Sequence, residues 1–273
     1  MEKLNIKTIP EKENKSVNKV FSNHEREFEL RFGQPNSYDF DTILDQFSGT
    51  KINSLRTSSI PLVQFWKDTD KRLDHLFKKL DLECNTPILC FEYPTKPKEG
   101  KGKSSMTDLM ILSNDFKIAI EAKFTEYKKI KSDLIDNWIR SGKNEENRKK
   151  VLNYWTSLIK PFSNGYDDAS LNQMSYQFYH RVASACHNTN DTMTAFVVYQ
   201  VFYDDETIGF LEEYKNKLRD YIKILNLNHR LRFYIWEIEV NQKIKADKKI
   251  DPFIEMKGRN VYDFEKSEIL NIH

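Results

Sequence analysis

The chain has 273 residues, 39% of them hydrophobic and 13% aromatic, a composition that excludes disordered and collagen-like proteins and allows a substantial core. Its 43 basic residues nearly balance 41 acidic ones, so the formal net charge of +2 does not by itself indicate a nucleic-acid-binding protein. At roughly 150 residues per domain, this length favours one large domain or a domain with an extension.

The cysteines and the apolar runs bear on the cellular compartment. Cys84, Cys90 and Cys186 are widely spaced and form no C-x-x-C pair, which favours reduced thiols. The first seven residues are charged and lack the apolar stretch of a secretory signal. No apolar run approaches the roughly 18 residues that span a bilayer. We therefore expect a cytoplasmic protein with no membrane partner.

Two regions differ in their patterns along the chain. Residues 1–60 are rich in Lys, Glu, Asn and Ser without a sustained period, which predicts a polar N-terminal extension with short elements. Residues 61–273 are expected to form one α/β domain in which helices flank a mixed β-sheet. The predicted elements there are, in chain order, an amphipathic helix of about five turns at 61–80, a strand at 87–93, a mobile basic loop, a hairpin, helices at 133–140, 145–159 and 170–187, a strand at 193–203, a helix at 209–225 and a strand at 231–240.

The hairpin consists of strands at 106–112 and 116–124, joined by the turn sequence Ser113-Asn114-Asp115. Matching the apolar faces of the two strands sets Leu109 opposite Ile120 and Ile111 opposite Ile118. The same register sets Asp108 directly opposite Glu121, whereas a slip of one residue would bury Asp108 in the core.

This register brings two carboxylates together on one face. Opposed residues have Cβ atoms about 4.5–5.5 Å apart, so the carboxylates of Asp108 and Glu121 would repel each other unless a cation lies between them. Hard oxygen ligands suit Mg²⁺. Lys123 projects from the same face as Glu121, and an ammonium of lowered pKa there could orient or deprotonate a metal-bound water, or stabilise charge on a phosphate.

These residues resemble a known motif. Thr107-Asp108, twelve residues and then Glu121-Ala122-Lys123 are similar to the motif of the PD-(D/E)xK nuclease superfamily, with Thr107 in place of proline. The resemblance covers roughly residues 61–240 and implies a restriction-endonuclease-like fold. It also implies that Asp108 and Glu121 ligate Mg²⁺, with Mn²⁺ as a substitute metal, and that Lys123 assists the attacking water. By the same resemblance, Glu92 is the further acid that completes the site.

The tripeptide Glu-x-Lys is not specific evidence in a chain with 31% charged residues. What distinguishes Glu121 is the strand alternation around it and the preceding strand that carries Asp108. The structural alternative is an exposed hairpin held by salt bridges. The same tripeptide also begins at Glu13, Glu99, Glu126, Glu213 and Glu255.

Basic and polar residues near the hairpin are candidates for binding nucleic acid. Lysines bracket the two carboxylates, and a polar stripe follows the helix at 170–187; a solvated loop and a solvated helix face are the alternatives. The resemblance makes the helix residues candidates for supporting the site or for binding phosphate. The lysines are Lys96, Lys98, Lys101 and Lys103 before the hairpin and Lys128, Lys129 and Lys131 after it; the helix residues are Gln177, His180 and Arg181.

The sequence therefore predicts a Mg²⁺-dependent endonuclease that hydrolyses DNA, in a setting such as restriction or phage defence. RNA is also a possible substrate. Cutting both strands of a duplex usually needs two active sites, so a homodimer is expected. The alternative is a catalytically silent nucleic-acid-binding or interaction module of the same fold.

Overall fold

The structure, a computed structural model, describes residues 20–21, 26–33, 36–47, 54–129, 134–165, 168–244 and 252–273. Its strands follow one another across a single sheet in the order of the chain. They are β1 (Val20–Phe21), β2 (Glu27–Phe32), β3 (Ile88–Thr95), β4 (Ser105–Leu112), β5 (Phe116–Lys123), β6 (Thr194–Tyr203), β7 (Leu231–Gln242) and β8 (Tyr262–Asn271).

Nine α-helices lie within the described residues. They are α1 (Phe40–Gln46), α2 (Ser59–Phe65), α3 (Thr69–Leu80), α4 (Ile135–Arg140), α5 (Glu145–Ile159), α6 (Asp168–Leu171), α7 (Tyr176–Cys186), α8 (Leu211–Leu225) and α9 (Pro252–Gly258). Short 3-10 helices span Trp66–Asp68, Glu126–Lys129, Lys160–Phe162 and Ile208–Phe210. None of the described helices is long and apolar enough to cross a bilayer.

The sheet is mixed, as the sequence predicts. β3, β4 and β5 form an antiparallel meander, and β2 runs parallel to β3 at one side of it. On the other side β5, β6 and β7 are parallel, and β8 is antiparallel to β7. The predicted hairpin register is confirmed, because Leu109 pairs with Ile120 and Ile111 pairs with Ile118.

Helices cover both faces of the sheet and divide the core into two clusters. Ile118 and Ile120 belong to the cluster that contains Phe65 of α2 and Leu76 of α3. Ala119 belongs to the opposite cluster, with residues of α5, α7 and α8. Every residue of β5 is buried, as in a strand covered on both faces. The charged side chains on β5 therefore lie beneath the layer of α5 and α7 rather than on an open surface.

The single helix predicted at 61–80 is wrong, because the chain breaks between α2 and α3. Asp68 has a non-helical ψ of 54° at the junction. Side chains take the carbonyl oxygens that the break exposes: Thr69 Oγ1 donates to Trp66 O at 2.6 Å, and Arg72 Nε donates to Phe65 O at 3.1 Å. Apolar spacing continues through the break and cannot reveal it.

The helix predicted at 170–187 is also divided. α6 ends at Leu171, and α7 begins after Ser175, whose Oγ accepts a hydrogen bond from Phe178 N at 3.3 Å. β3 continues beyond the predicted end at residue 93 and includes Pro94 and Thr95.

Several elements lie outside those predicted. Within the expected extension, β2 pairs with β3, and Phe28 and Leu30 of β2 belong to the same core cluster as Ile43 and Leu44 of α1. After residue 240 the chain forms α9 and then β8, and β8 completes the sheet beside β7. β2 and α1 thus pack on the domain core.

Candidate active site

Three carboxylates come from neighbouring positions on three adjacent strands. Phe91 pairs with Leu109 and Tyr93 pairs with Thr107, so Glu92 and Asp108 occupy matching positions between these pairs. Leu109 pairs with Ile120, and Glu121 is the next residue of β5 in the same register. We call Glu92, Asp108 and Glu121 the carboxylate row.

Asp108 joins the two strands of the hairpin where their described backbone pairing ends. Its Oδ2 accepts a hydrogen bond from the backbone amide of Ala122 at 2.8 Å. Burial raises the pKa of Asp108 well above its ordinary value, and the neighbouring Glu121 raises it further. Arg181 and Lys123 act on this pKa in the opposite direction.

Glu121 is held by three side chains and is only 2% exposed. Lys123 Nζ lies 2.7 Å from Oε1, and Gln177 Nε2 donates to the same oxygen at 3.0 Å. Arg181 Nε forms an ion pair with Oε2. Burial alone would raise the pKa of Glu121, but Arg181 and Lys123 outweigh it and lower that pKa to about 2.

Lys123 is positively charged at neutral pH. Burial acts to lower the pKa of its ammonium, but Glu121 and Asp108 outweigh burial and raise that pKa above its ordinary value. The expectation of a lowered pKa is therefore wrong for this arrangement. With a raised pKa, the Lys123 ammonium is suited to stabilise negative charge rather than to take up a proton.

Helix α7 presents Arg181 to the carboxylate row. The guanidinium also spans to β4, because Nη1 donates to Met106 O at 2.6 Å and to Thr107 Oγ1 at 3.0 Å. Arg181 is 3% exposed, so this side chain positions Glu121 and the strand edge instead of facing solvent. Gln177 and Arg181, both predicted from helical spacing, thus meet at Glu121.

His180 lies at the edge of the site. Its Nδ1 is 2.7 Å from Ser105 Oγ. Burial, together with the adjacent Arg181, lowers the pKa of His180 to about 3. The imidazole is therefore neutral at neutral pH and does not act there as a general acid.

Glu92 has an unusual backbone. Its φ of 51° lies in the left-handed region, which is rare for a residue with a side chain and costs on the order of 1–2 kcal/mol. The residue is 4% exposed, and its charge raises the pKa of Asp108. The strain occurs in a strand directly beside Asp108, and strain of this kind concentrates at functional sites.

The lysine loop (residues 96–104) is fastened to helix α5. Lys101 N donates to Asn147 Oδ1 at 2.6 Å, and Asn147 Nδ2 donates back to Lys101 O at 2.7 Å. Gly100 has a φ of +74°, and a Cβ there would lie 2.8 Å from Val151 Cγ2. Contrary to the expected mobile loop, the backbone is held in place. Its exposed lysines are Lys96, Lys98, Lys101 and Lys103; Lys131 and the side chains of Lys128 and Lys129 lie outside the described residues.

Two carboxylates of the row could hold a divalent metal ion. Asp108 and Glu121 supply hard oxygen donors of the kind that suits Mg²⁺ or Mn²⁺, and these two residues would be the ligands. In the part of the chain that the structure describes, no group of three or more His, Cys, Asp or Glu side chains is arranged as a metal site.

Sequence reasoning did not identify two neighbours of the site. Tyr199 of β6 pairs with Glu121, and burial raises the pKa of its hydroxyl well above the ordinary value. Thr107 binds Arg181 through its hydroxyl. Tyr199 lies in a mostly apolar strand, which gives no signal of its position, whereas Thr107 directly precedes Asp108 and could have been inferred from that.

Comparison with family models places the chain in a family. A family model described as a domain of unknown function (DUF6946) matches residues 40–245 of the 273. No curated protein and no solved structure matches the chain. The matched region contains the carboxylate row, Lys123, the lysine loop and helix α7.

Proposed function

Since the chain belongs to the family of the domain of unknown function DUF6946, we propose its activity from the site: a Mg²⁺-dependent endonuclease that hydrolyses phosphodiester bonds of DNA. The observation that carries this proposal is Lys123 Nζ at 2.7 Å from Glu121, beside Asp108 on the neighbouring strand. Two carboxylates and an adjacent ammonium are the groups that metal-assisted phosphodiester hydrolysis needs.

The order of elements supports the proposal as well. Helix α3 precedes the meander that carries the carboxylates, and α7 and β6 follow it, with β6 parallel to β5. This is the order expected from the resemblance to the PD-(D/E)xK superfamily. A restriction-endonuclease-like fold is accordingly part of the proposal.

In the proposed reaction, Asp108 and Glu121 would hold Mg²⁺, which when bound supplies Lewis-acid stabilisation of phosphate oxygens. Arg181 and Gln177 keep the Glu121 carboxylate in its orientation, and the Ala122 amide does the same for Asp108. The Lys123 ammonium stabilises the negative charge that develops on the phosphate. The exposed lysines of the lysine loop bind the nucleic-acid backbone.

A second candidate function is a catalytically silent nucleic-acid-binding module. One observation favours it: both oxygens of Glu121 are already contacted by basic side chains of the protein, Lys123 at Oε1 and Arg181 at Oε2. In that case these ion pairs only hold the fold, and the lysine loop alone would contact nucleic acid. The two functions differ in whether the protein turns over a substrate.

The test is incubation of the purified protein with supercoiled plasmid, single-stranded DNA and RNA, each with Mg²⁺, Mn²⁺ or EDTA. Cleavage should require metal and should fall at least about a hundredfold in Lys123→Ala, on the scale of losing one charge-stabilising group. Lys223→Ala, which removes an exposed lysine near the end of α8, is the matched control and should cleave normally.

The results separate the two candidates. Cleavage in EDTA, or equal cleavage by Lys123→Ala and the control, would contradict the proposed enzyme. Binding of nucleic acid without turnover in any metal would favour the silent module.

Breaks in both strands of the plasmid would require two active sites. Sedimentation of the protein with DNA is then expected to show a homodimer. A role in restriction or phage defence is part of the same proposal.

A further inference from the structure

A cavity of about 410 Å³ opens beside the site, between the lysine loop, α4, α5 and the start of α7. His180 and Ser105 form part of its wall, and the residue after His180 is Arg181, which contacts Glu121. Cavities that bind small organic molecules have volumes of about 300–1,000 Å³. The other residues that matter for the argument are Lys101, Lys103, Trp138, Arg148, Trp155 and Tyr176.

Aromatic side chains form an ordered column in this cavity. The rings of Trp138 and Tyr176 are stacked, with centroids 3.6 Å apart and an angle of 9° between the planes. Trp155 Nε1 donates to Tyr176 Oη at 3.2 Å, which fixes the phenol ring. His180 meets the same ring edge-on, with centroids 4.9 Å apart. Trp138 and Tyr176 both line the cavity and are only partly buried.

The charged groups of the cavity are all positive. The Arg148 guanidinium carbon lies 5.0 Å from the centre of the Trp138 ring, and its Nη1 donates to Ser141 Oγ at 3.0 Å. Gly142 makes room for this arrangement, because a Cβ there would lie 2.4 Å from Arg148 Nε. Lys101 and Lys103 contribute exposed ammonium groups at the rim, and no Asp or Glu is among the described residues that line the cavity.

We propose that this cavity binds one unpaired nucleotide of a nucleic-acid strand, with the base taking the place of the Arg148 guanidinium over the Trp138 ring and the phosphate attracted by Lys101, Lys103 and the displaced Arg148. Stacking on aromatic rings next to basic groups is the usual way in which proteins hold single-stranded nucleic acid. An unpaired base can enter a cavity of this kind, whereas a base inside a duplex cannot unless it is unstacked. This inference rests on the proposed nuclease function. It names the substrate class of that function, which is a strand with unpaired nucleotides beside the carboxylate row.

The experiment measures binding in EDTA, so it does not depend on turnover. Fluorescein-labelled d(T)6, r(U)6 and a blunt DNA hairpin are titrated with the full chain, and anisotropy gives each Kd. Trp138→Leu and Arg148→Ala should each weaken d(T)6 binding at least about fivefold, the lower end of the effect of removing one base-stacking group. Lys149→Ala removes an exposed charge from the neighbouring position of α5 and is the matched control.

The hexamers should bind more tightly than the blunt hairpin, and comparison of d(T)6 with r(U)6 distinguishes DNA from RNA. Equal Kd values for Arg148→Ala and the Lys149→Ala control would overturn the proposal, even if Trp138→Leu failed to fold. Displacement of d(T)6 by equimolar inorganic phosphate would overturn the proposal too. So would a blunt hairpin that binds as tightly as d(T)6 and whose binding is weakened by the same two substitutions. Hexamer binding that depends on Trp138 and Arg148 but occurs without cleavage would refute the nuclease and support the cavity. Cleavage by the wild type, together with unaltered hexamer binding in both variants, would support the nuclease and refute the cavity.

Discussion

The backbone amide of Ala122 donates a hydrogen bond to the side chain of Asp108, at 2.8 Å from its Oδ2. A side chain of β4 thus supplies the acceptor that a backbone carbonyl supplies elsewhere in the sheet. This bond needs only an oxygen acceptor and not a negative charge. The structural role of Asp108 can therefore be separated from its proposed role in metal binding.

Replacing Asp108 with Asn should inactivate the enzyme without weakening the fold. Asn keeps an acceptor for the Ala122 amide but removes a carboxyl group whose pKa is raised by burial and by Glu121. We expect metal-dependent cleavage to fall at least about a hundredfold, and the free energy of unfolding at pH 7 in EDTA to rise, because the buried carboxyl group no longer has to be ionised. Urea denaturation measures the second effect. Asp108→Ala, which lacks the acceptor, should instead lose about 1–3 kcal/mol; equal stability of the two variants would refute this account.

Replacing Glu121 with Gln should have the opposite effect on stability. Lys123 and Arg181 would remain buried without the carboxylate that both contact, and removing one partner of a buried ion pair costs about 3–5 kcal/mol. Urea denaturation in EDTA should therefore show a large decrease in the free energy of unfolding. The double variant Glu121→Gln/Arg181→Met should recover part of the loss. A Glu121→Gln protein as stable as Asp108→Asn would contradict the proposed ion-pair network.

The contrast between these residues shows what the sequence could and could not reveal. The register of the hairpin was predictable, because only one register matches the apolar faces around Leu109 and Ile120. The partners of Glu121 were only partly predictable. Helical spacing left His180 and Arg181 as equal candidates, and the choice depends on how α7 is rotated over the sheet, which is a property of the packed core.

The missed strands have separate physical reasons. β8 is an edge strand whose sequence is mostly polar or charged, and it lacks the apolar alternation that marks a strand buried on one face. In β2, Phe28, Leu30 and Phe32 do alternate, but six residues within a polar region give a weak signal. The break between α2 and α3 depends on the contacts of Thr69 and Arg72 with exposed carbonyls, which apolar spacing does not encode.

The backbone at Glu92 gives a prediction that isolates strain. Its φ of 51° is accessible to glycine at little cost but not to alanine. Glu92→Gly should therefore be more stable than Glu92→Ala by about 1 kcal/mol, although glycine normally destabilises a strand. Thermal and urea denaturation of the two variants measure this difference. A more stable alanine variant would disprove the strained backbone. If Glu92 also supports the site, both variants should lose cleavage to the same extent.

Lys117 gives a prediction for the pH dependence of stability, away from the carboxylate row. Lys117 is 2% exposed, and its Nζ donates to His187 O at 2.6 Å. Burial lowers the pKa of Lys117 from 10.5 to about 8, which corresponds to roughly 3 kcal/mol of destabilisation while the group is charged.

Below pH 8 both the folded and the unfolded chain hold the proton of Lys117, so this destabilisation is fully present. Between pH 8 and 10.5 only the unfolded chain holds it, and stability rises with pH. The free energy of unfolding of the wild type, measured relative to Lys117→Met, should thus increase by up to about 3 kcal/mol between pH 7 and pH 10.5. Tyrosine and cysteine ionisation affects both proteins and largely cancels in this difference, so parallel pH curves would show that Lys117 is not buried as a charged group.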